Sequence, residues 1–447
     1  MTYRNETILD FPRSEVWRWF SAPGAVTRLT PPFMGMRVVQ EASTLREGTT
    51  VLKPTLPSPA PKLPLPGWVA EHDPDGYVEG ERFVDRAASL PYSLTGWVHE
   101  HEFEDRDGGT AVIDRVHSRI PDAVLRPIFA FRNSRLAADL QALERSRAIS
   151  TEMLTVAVTG SSGLVGTQLC AWLTTAGHQV IRLVRERPQP GERLWNPDAP
   201  SADLLDGVDV LVHLAGHTIA GRFTDGHKRK VRESRIGPTA RLAELVADKG
   251  IAMVCASAMG YYGADRGEEE LVESSAPGDD FLAEVVVDWE AACEPARAAG
   301  SRVVNVRTGI VLSAAGGVLG MLSPLFRLGL GGRIGDGRQW FSWVALDDLV
   351  DVYVRAILDE SLSGPVNAVA PEAVRNAEYT RVLGEVLNRP TPLPVPEIGP
   401  RALLGKEGSD LLALANQRIR PQALAERGHV FRFPELAAAL SHELGRE

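Results

Sequence analysis

The sequence predicts a doubly wound α/β domain on a parallel sheet, ending in a small substrate-binding part and preceded by an α+β domain. Three observations predict it. Val156 to Gly166 reads as a buried strand, a glycine turn and the start of a helix. From Met153 onward strands and helices alternate, the pattern of a parallel sheet covered on both faces. Residues 1–148 instead carry several strand-like runs and close on one long helical pattern.

The chain has 447 residues, enough for two or three domains each with a core. No apolar run approaches the ~20 residues of a membrane span. The N-terminus, Met1-Thr2-Tyr3-Arg4-Asn5, lacks the apolar core of a secretory signal. Cys170, Cys255 and Cys293 have no metal-ligand spacing and read as buried thiols, which predicts a cytoplasmic protein. No metal site is expected. A net charge of −10 argues against general nucleic-acid binding. The expected partners are a small-molecule substrate and an apolar ligand.

In the first domain Tyr3 to Leu9 alternates like a half-buried strand, and Ser14 to Phe20 reads as a short helix broken by Pro23-Gly24. Strands are expected near 36–39, 68–72, 81–87, 92–103 and 110–118. Glu104 to Gly109 forms the turn between the last two. A helix over about 121–147 follows, with Val124, Ile128, Phe131, Leu136, Leu140 and Leu143 near helical spacing. Pro54 to Pro66 contains six prolines and reads as a stiff loop. This order, with Phe11-Pro12, Val16-Trp17, Trp19-Phe20 and Asp114-Arg115-Val116, resembles the START-like helix-grip fold of the SRPBCC superfamily. The resemblance implies an apolar cavity under the long helix, with the proline-rich loop at its rim.

In the second domain, strands are expected near 155–159, 179–184, 208–214, 253–257, 301–308 and 364–369. In the first turn, Gly160 permits the tight bend, Gly163 lets backbone approach a pyrophosphate, and Gly166 lets the helix pack close. Ser161, Ser162, Leu164 and Val165 complete the predicted dinucleotide cradle. The second strand ends in Arg185, where an acidic residue would hold the ribose of NAD. A guanidinium suits a 2′-phosphate, so NADP is favoured over NAD. Leu214-Ala215-Gly216 ends the next strand and would pass beside the cofactor. His213 reads as a packed strand histidine.

These residues, with Gly221-Arg222-Phe223-Thr224, Lys228, Ser234-Arg235, Ser257 to Gly263, Arg307 to Leu312, Gly335 to Trp343 and Gly428 to Pro434, resemble the extended short-chain dehydrogenase/reductase superfamily. The closest resemblance is to its SulA-like nucleoside-diphosphate-sugar epimerase branch. It covers nearly all of 153–447 and implies a Rossmann-like cofactor domain with a late substrate part. It also implies a Ser or Thr that holds the substrate oxygen, and a Tyr with a Lys four residues later that moves the proton. Ser257 suits the first role. The helix expected to carry the pair, Asp280 to Glu290, has neither residue, and no lysine occurs between 250 and 405. Tyr261 and Tyr262 remain, with Arg307 at the next strand end facing the expected cofactor. A tyrosine without its lysine titrates near about 10 and is a poor base, yet it can donate a hydrogen bond to a carbonyl. Packing side chains are the other reading of both tyrosines. Arg338 and Trp340, in a glycine-rich loop, are candidates to meet an anionic group and a ring of the substrate. Asp347-Asp348 read as the start of a helix.

Two functions follow: an NADP-dependent oxidoreductase or epimerase-like enzyme with a fused ligand-binding domain, or a non-catalytic NADPH-binding redox sensor or regulator. The expected domains are 1–148 and 153–447.

Overall fold

The computed structural model describes residues 2–55 and 66–446. It divides into two compact units. One comprises Met1–Arg147 with Ala171–Gly177 and Ser441–Glu447, the other Ala148–Cys170 with His178–Leu440.

The first unit is mostly antiparallel sheet. Its strands are β1 (Thr2–Leu9), β2 (Met36–Gln40), β3 (Thr49–Pro54), β4 (Trp68–His72), β5 (Arg82–Ala87), β6 (Val98–Arg106) and β7 (Gly109–His117), in the order β1-β7-β6-β5-β4-β3-β2. Two short helices, α1 (Arg13–Ser21) and α2 (Ala25–Leu29), precede the sheet's middle, and α3 (Asp122–Ile149) follows it. Alternating residues of β6 and β7 turn one face toward a core of Val16, Trp19, Phe20, Leu29, Phe83, Phe103, Val112, Leu136 and Leu140. A fully buried ion pair ties α2 to α3: Arg28 donates to Asp139 through Nε at 2.8 Å and a terminal nitrogen at 2.6 Å.

Three expectations change here. Thr49–Pro54 is a strand, paired with β2 and β4, where no strand is expected from the sequence. Residues 92–95 form a single 3-10 turn, so β6 begins only at Val98. Of the expected proline-rich loop, Pro54 to Pro66, residues 56–65 lie outside the described residues. Pro54 itself ends β3, where its missing N–H costs the ladder least.

The second unit is a Rossmann-like parallel sheet. Its strands are β8 (Thr155–Thr159), β9 (Gln179–Val184), β10 (Glu192–Leu194), β11 (Val210–His213), β12 (Ala252–Ala258), and then Val303–Thr308 and Gly364–Ala368. They lie in the order β10-β9-β8-β11-β12, followed by the last two. Helices α4 (Leu164–Ala176), α5 (Asp225–Lys249) and α6 (Phe281–Ala291) are among the connections. Val156, Val158, Leu211, Val212, Val254, Val304 and Val306 are fully buried, as expected of strands covered on both faces. Strand order reverses between β8 and β11, so their carboxyl ends flank a crevice, the usual ligand position in such sheets.

Later segments form small paired strands: Asp265–Leu271 with Asn416–Ile419, Ile310–Ser313 with Trp343–Ala345, and Trp340–Phe341 with Val374–Arg375. Asp347 and Asp348 do open a helix, Leu346–Leu358. The Phe431-Arg432-Phe433 motif docks on it: Arg432 donates to Asp351 at 2.6 Å, and the Arg432 and Phe433 N–H groups donate to Asp348. Among the described residues, no helix is long and apolar enough to cross a membrane.

Candidate functional site

The crevice at the ends of β8 and β11 is shaped by the absence of side chains. Gly160 has φ +67°, and a Cβ on it would lie 2.9 Å from the Ala215 nitrogen. A Cβ on Gly166 would lie 2.3 Å from the Gly160 carbonyl oxygen, so no larger residue lets α4 start there. Gly163 donates to that same carbonyl at 3.0 Å, closing the turn. Ser162 and Gly163 are exposed, Leu164 and Val165 half-buried and Ser161 buried. The first N–H groups of α4 have no intrahelical acceptor and are available to an anion. Leu214 and Ala215 are half-buried and Gly216 exposed on the opposite wall.

Thr159 holds the two walls together. Its Oγ1 accepts from the Leu214 and Ala215 N–H groups at 3.1 and 3.3 Å. Its own proton then goes to Nδ1 of His213, 2.7 Å away. His213 is fully buried, and burial, with Arg235 adding to it, pushes its pKa down to about 4. It is therefore a neutral, packed histidine.

Arg185 follows β9, is exposed, and forms no ion pair among the described residues. Arg235, on α5, was not singled out as a site residue by the sequence. It is buried, with no carboxylate partner among the described residues. It donates to the Val231 carbonyl at 3.0 Å, and lies over the Trp289 ring at 5.0 Å. Burial lowers its pKa to about 10. A Cβ on Gly216 would come within 3.3 Å of its guanidinium carbon, which puts this cation directly behind the crevice wall. The signal for it was a charged residue on the apolar side of α5.

The structure brings Ser257, Tyr261, Tyr262 and Arg307 together, but turns most of them inward. Ser257 Oγ donates to Glu290 Oε1 at 2.6 Å. Arg307 donates to both oxygens of Glu290 at 2.8 Å, to the Tyr262 hydroxyl at 3.1 Å and to the Glu273 carbonyl at 3.1 Å. With its side chain 3% exposed, Arg307 is committed to this buried pair and does not present its guanidinium to a cofactor. The Tyr262 hydroxyl donates to Asn367 Oδ1 at 2.7 Å, and burial raises its pKa to about 12. Tyr261 lies under the Arg307 guanidinium, 3.4 Å from ring centre to Cζ, and its hydroxyl has no protein hydrogen bond among the described residues. Glu290, the hub of the network, was missed as a site residue; its signal was a lone carboxylate beside Trp289 on an otherwise apolar helix face.

Helix α6 carries Leu282 and Val286 four residues apart, both buried, on the side facing the tyrosine loop. A Cβ on Gly260 would lie 3.6 and 3.8 Å from them. The face that the resemblance would furnish with a proton relay is therefore apolar.

Arg338 is exposed, and its carbonyl accepts from Arg375. The Trp340 ring is covered by Arg375 at 3.7 Å and Arg418 at 4.9 Å, and its N–H donates to Glu268 at 3.2 Å. The two side chains are neighbours in a loop, but Trp340 already has cationic stacking partners of its own.

The first unit holds a cavity of about 710 Å³ beneath α2 and α3. Its walls include Phe20, Leu29, Trp68, Phe83, Trp97, Leu125 and Phe129, and its polar lining includes Asp85, His99, His101 and Arg132.

Residues 156–368 match the NAD dependent epimerase/dehydratase family, and residues 395–443 match a domain of unknown function, DUF1731. Epimerase family protein Mb2239 of Mycobacterium bovis is 45% identical over 296 residues, which is 65% of this chain and 98% of that protein. The crystal structure of a nucleoside-diphosphate sugar epimerase from Corynebacterium glutamicum superposes with a TM-score of 0.87 at 46% identity, covering 100% of this chain and 90% of that one. The structure of human epimerase family protein SDR39U1 (isoform 2) with NADPH has a TM-score of 0.59 at 33% identity, covering 65% of this chain and 99% of that one.

Proposed function

The chain belongs to the NAD dependent epimerase/dehydratase family, and on that premise we propose that it binds NADPH and acts as an oxidoreductase or epimerase-like enzyme. The observation that carries the reading is the glycine cradle at the strand-order reversal, with Arg185 exposed after the second strand and in no ion pair among the described residues. Gly160 and Gly166 leave room that any Cβ would fill, and the first turn of α4 offers N–H groups to a pyrophosphate. Arg185 supplies a paired, charge-assisted contact for a 2′-phosphate, and the buried Arg235 adds positive potential behind Gly216. The binding of NADPH by the human relative is in keeping with this choice.

When bound, the cofactor supplies or accepts a hydride. Among this chain's residues, Tyr261 is the one of the two tyrosines with an uncommitted hydroxyl to hold a substrate oxygen. Ser257 and Tyr262 act by keeping Glu290 and Arg307 in place beneath it. The substrate class is a small carbonyl, an alcohol or a nucleotide sugar, met by the late segments carrying Arg338 and Trp340. Residues 153–447 form this catalytic domain in our reading.

Residues 1–148 we assign as a START-like helix-grip module that binds an apolar ligand. The antiparallel sheet, the long α3 and the aromatic cavity support that assignment. The three buried cysteines form no disulfide among the described residues, which suits a reducing, cytoplasmic setting.

A second reading, a non-catalytic NADPH-binding redox sensor or regulator, is favoured by one observation: Leu282 and Val286 occupy the face where a proton relay would sit. Titration with NADPH and NADH, followed by nicotinamide fluorescence, with Arg185→Ala in parallel, tests the cofactor site. Carbonyl reduction in a substrate screen, abolished by Tyr261→Phe, separates the enzyme from the sensor. If neither nucleotide binds, both readings fall.

A further inference from the structure

The cavity of the first unit has a polar floor whose layout follows from strand register. Asp85 on β5 pairs with His99 on β6, and His101 on β6 pairs with Asp114 on β7. Directly opposed residues share a face of the sheet, as do His99 and His101, two apart on one strand. The four side chains therefore converge. Asp85 Oδ2 lies 3.3 Å from His99 Nδ1 and 3.6 Å from His101 Nε2. The opposite ring nitrogens, His99 Nε2 and His101 Nδ1, lie 2.9 and 3.1 Å from Asp114 Oδ1.

We propose that Asp85, His99 and His101 bind a divalent first-row metal ion of the zinc or ferrous class, with Asp114 as the outer carboxylate that orients both imidazoles. Two imidazoles and one carboxylate are a donor set suited to these ions. Metal–ligand bonds of about 2.0–2.1 Å in a tetrahedral site separate neighbouring donor atoms by about 3.3–3.4 Å. The spacings around Asp85 Oδ2 match that within a few tenths of an ångström. All three donors come within 4.8 Å of one another, the one such grouping of His, Cys, Asp and Glu among the described residues. Asp85, His99 and His101 line the cavity whereas Asp114 does not, so the remaining coordination position opens toward the cavity.

Each imidazole faces a carboxylate at both nitrogens; a cationic ring would donate to both, whereas a neutral ring has one N–H and keeps a lone pair for an ion. His101 Nδ1 is buried and lacks an aligned hydrogen bond despite its 3.1 Å distance from Asp114. A metal ion on the Asp85 side would take a lone pair from each ring and leave the His99 Nε2 proton to Asp114, 2.9 Å away, the carboxylate–histidine–metal arrangement.

The site goes beyond the nucleotide reading and is tested without nucleotide. The full chain is stripped with chelator, titrated with Co²⁺ while visible absorption is followed, and separately loaded with Zn²⁺, desalted and assayed for bound metal. One ion per chain is expected, with intense tetrahedral Co²⁺ bands. Asp85→Asn and His101→Gln should each abolish stoichiometric retention, and Asp114→Asn should weaken binding about 10- to 100-fold. Circular dichroism and thermal unfolding of each metal-free variant check that the fold persists. Failure of the folded wild-type chain to retain metal overturns the proposal, as does retention that survives both ligand substitutions. If one ligand variant does not fold, the other and Asp114→Asn decide.

Discussion

Ser257 donates its hydroxyl proton to Glu290 at 2.6 Å, and the same carboxylate receives a two-pronged contact from Arg307. A serine at the end of its strand, placed where a substrate oxygen would be held, is thus tied to a buried ion pair. Truncating Ser257 to alanine should cost only about 1 kcal/mol, the worth of one hydrogen bond. Glu290→Gln leaves a buried guanidinium without its counter-charge and should cost about 3–5 kcal/mol. Urea midpoints of the two variants check the ranking; equal effects would show that Ser257 carries more than this contact.

Gly166→Ala places a Cβ 2.3 Å from the Gly160 carbonyl, against backbone that cannot swing away. The expected cost is about 1–3 kcal/mol in stability, together with loss of measurable NADPH binding as the turn is forced open. Gly207→Ala, at positive φ but with nothing within 4 Å of the added Cβ, is the control for a loss of stability without intrusion on the turn. It should lower stability while leaving the nucleotide titration unchanged.

His213 gives a pH signature. Its folded pKa is depressed to about 4 from an ordinary 6.5, chiefly by burial and secondarily by Arg235. Between those values the unfolded chain binds the proton and the folded chain does not. Stability is therefore full above about pH 6.5 and falls as pH drops toward 4, by roughly 3 kcal/mol from this group. His213→Asn should flatten that part of the profile when melting temperatures are compared from neutral to acid pH. Parallel curves for the two proteins would count against a buried neutral imidazole.

In the first unit, Arg28→Ala strands Asp139 in the core without its cation. A loss of about 3–5 kcal/mol is expected. Arg381→Ala, which breaks an exposed pair with Glu385 one helical turn away, should change stability by less than about 0.5 kcal/mol. Chemical denaturation distinguishes them, and similar costs would contradict the assigned burial.

Arg185→Ala should weaken NADPH binding about 10- to 100-fold, the loss of charge-assisted hydrogen bonds, and leave NADH binding nearly unchanged. An equal loss for both nucleotides would place Arg185 on the shared part of the cofactor.

The strand, turn and helix of the nucleotide cradle were legible because their requirements are local. Three glycines, a buried valine run and a helix start lie within eleven residues, and their spacing expresses the chemistry directly. The alternation after Met153 likewise indicated the parallel sheet, and most strand positions agreed to within two residues. Thr49–Pro54 escaped because it runs directly into the proline-rich stretch that starts at Pro54, and pairing with β2 and β4 is what makes it a strand.

The sequence by itself determined the main strands of the parallel sheet, the glycine geometry of the crevice and the absence of a Tyr-x-x-x-Lys pair on α6. Each follows from residue types at short spacing. Only the tertiary structure decided that Ser257, Tyr262 and Arg307 turn inward to Glu290 and Asn367, and that Arg235 stands behind Gly216. It also decided that Asp85, His99, His101 and Asp114 meet on one face. Strand pairing and helix packing join residues tens of positions apart, and the orientation of a buried polar side chain is set by the partner it finds there.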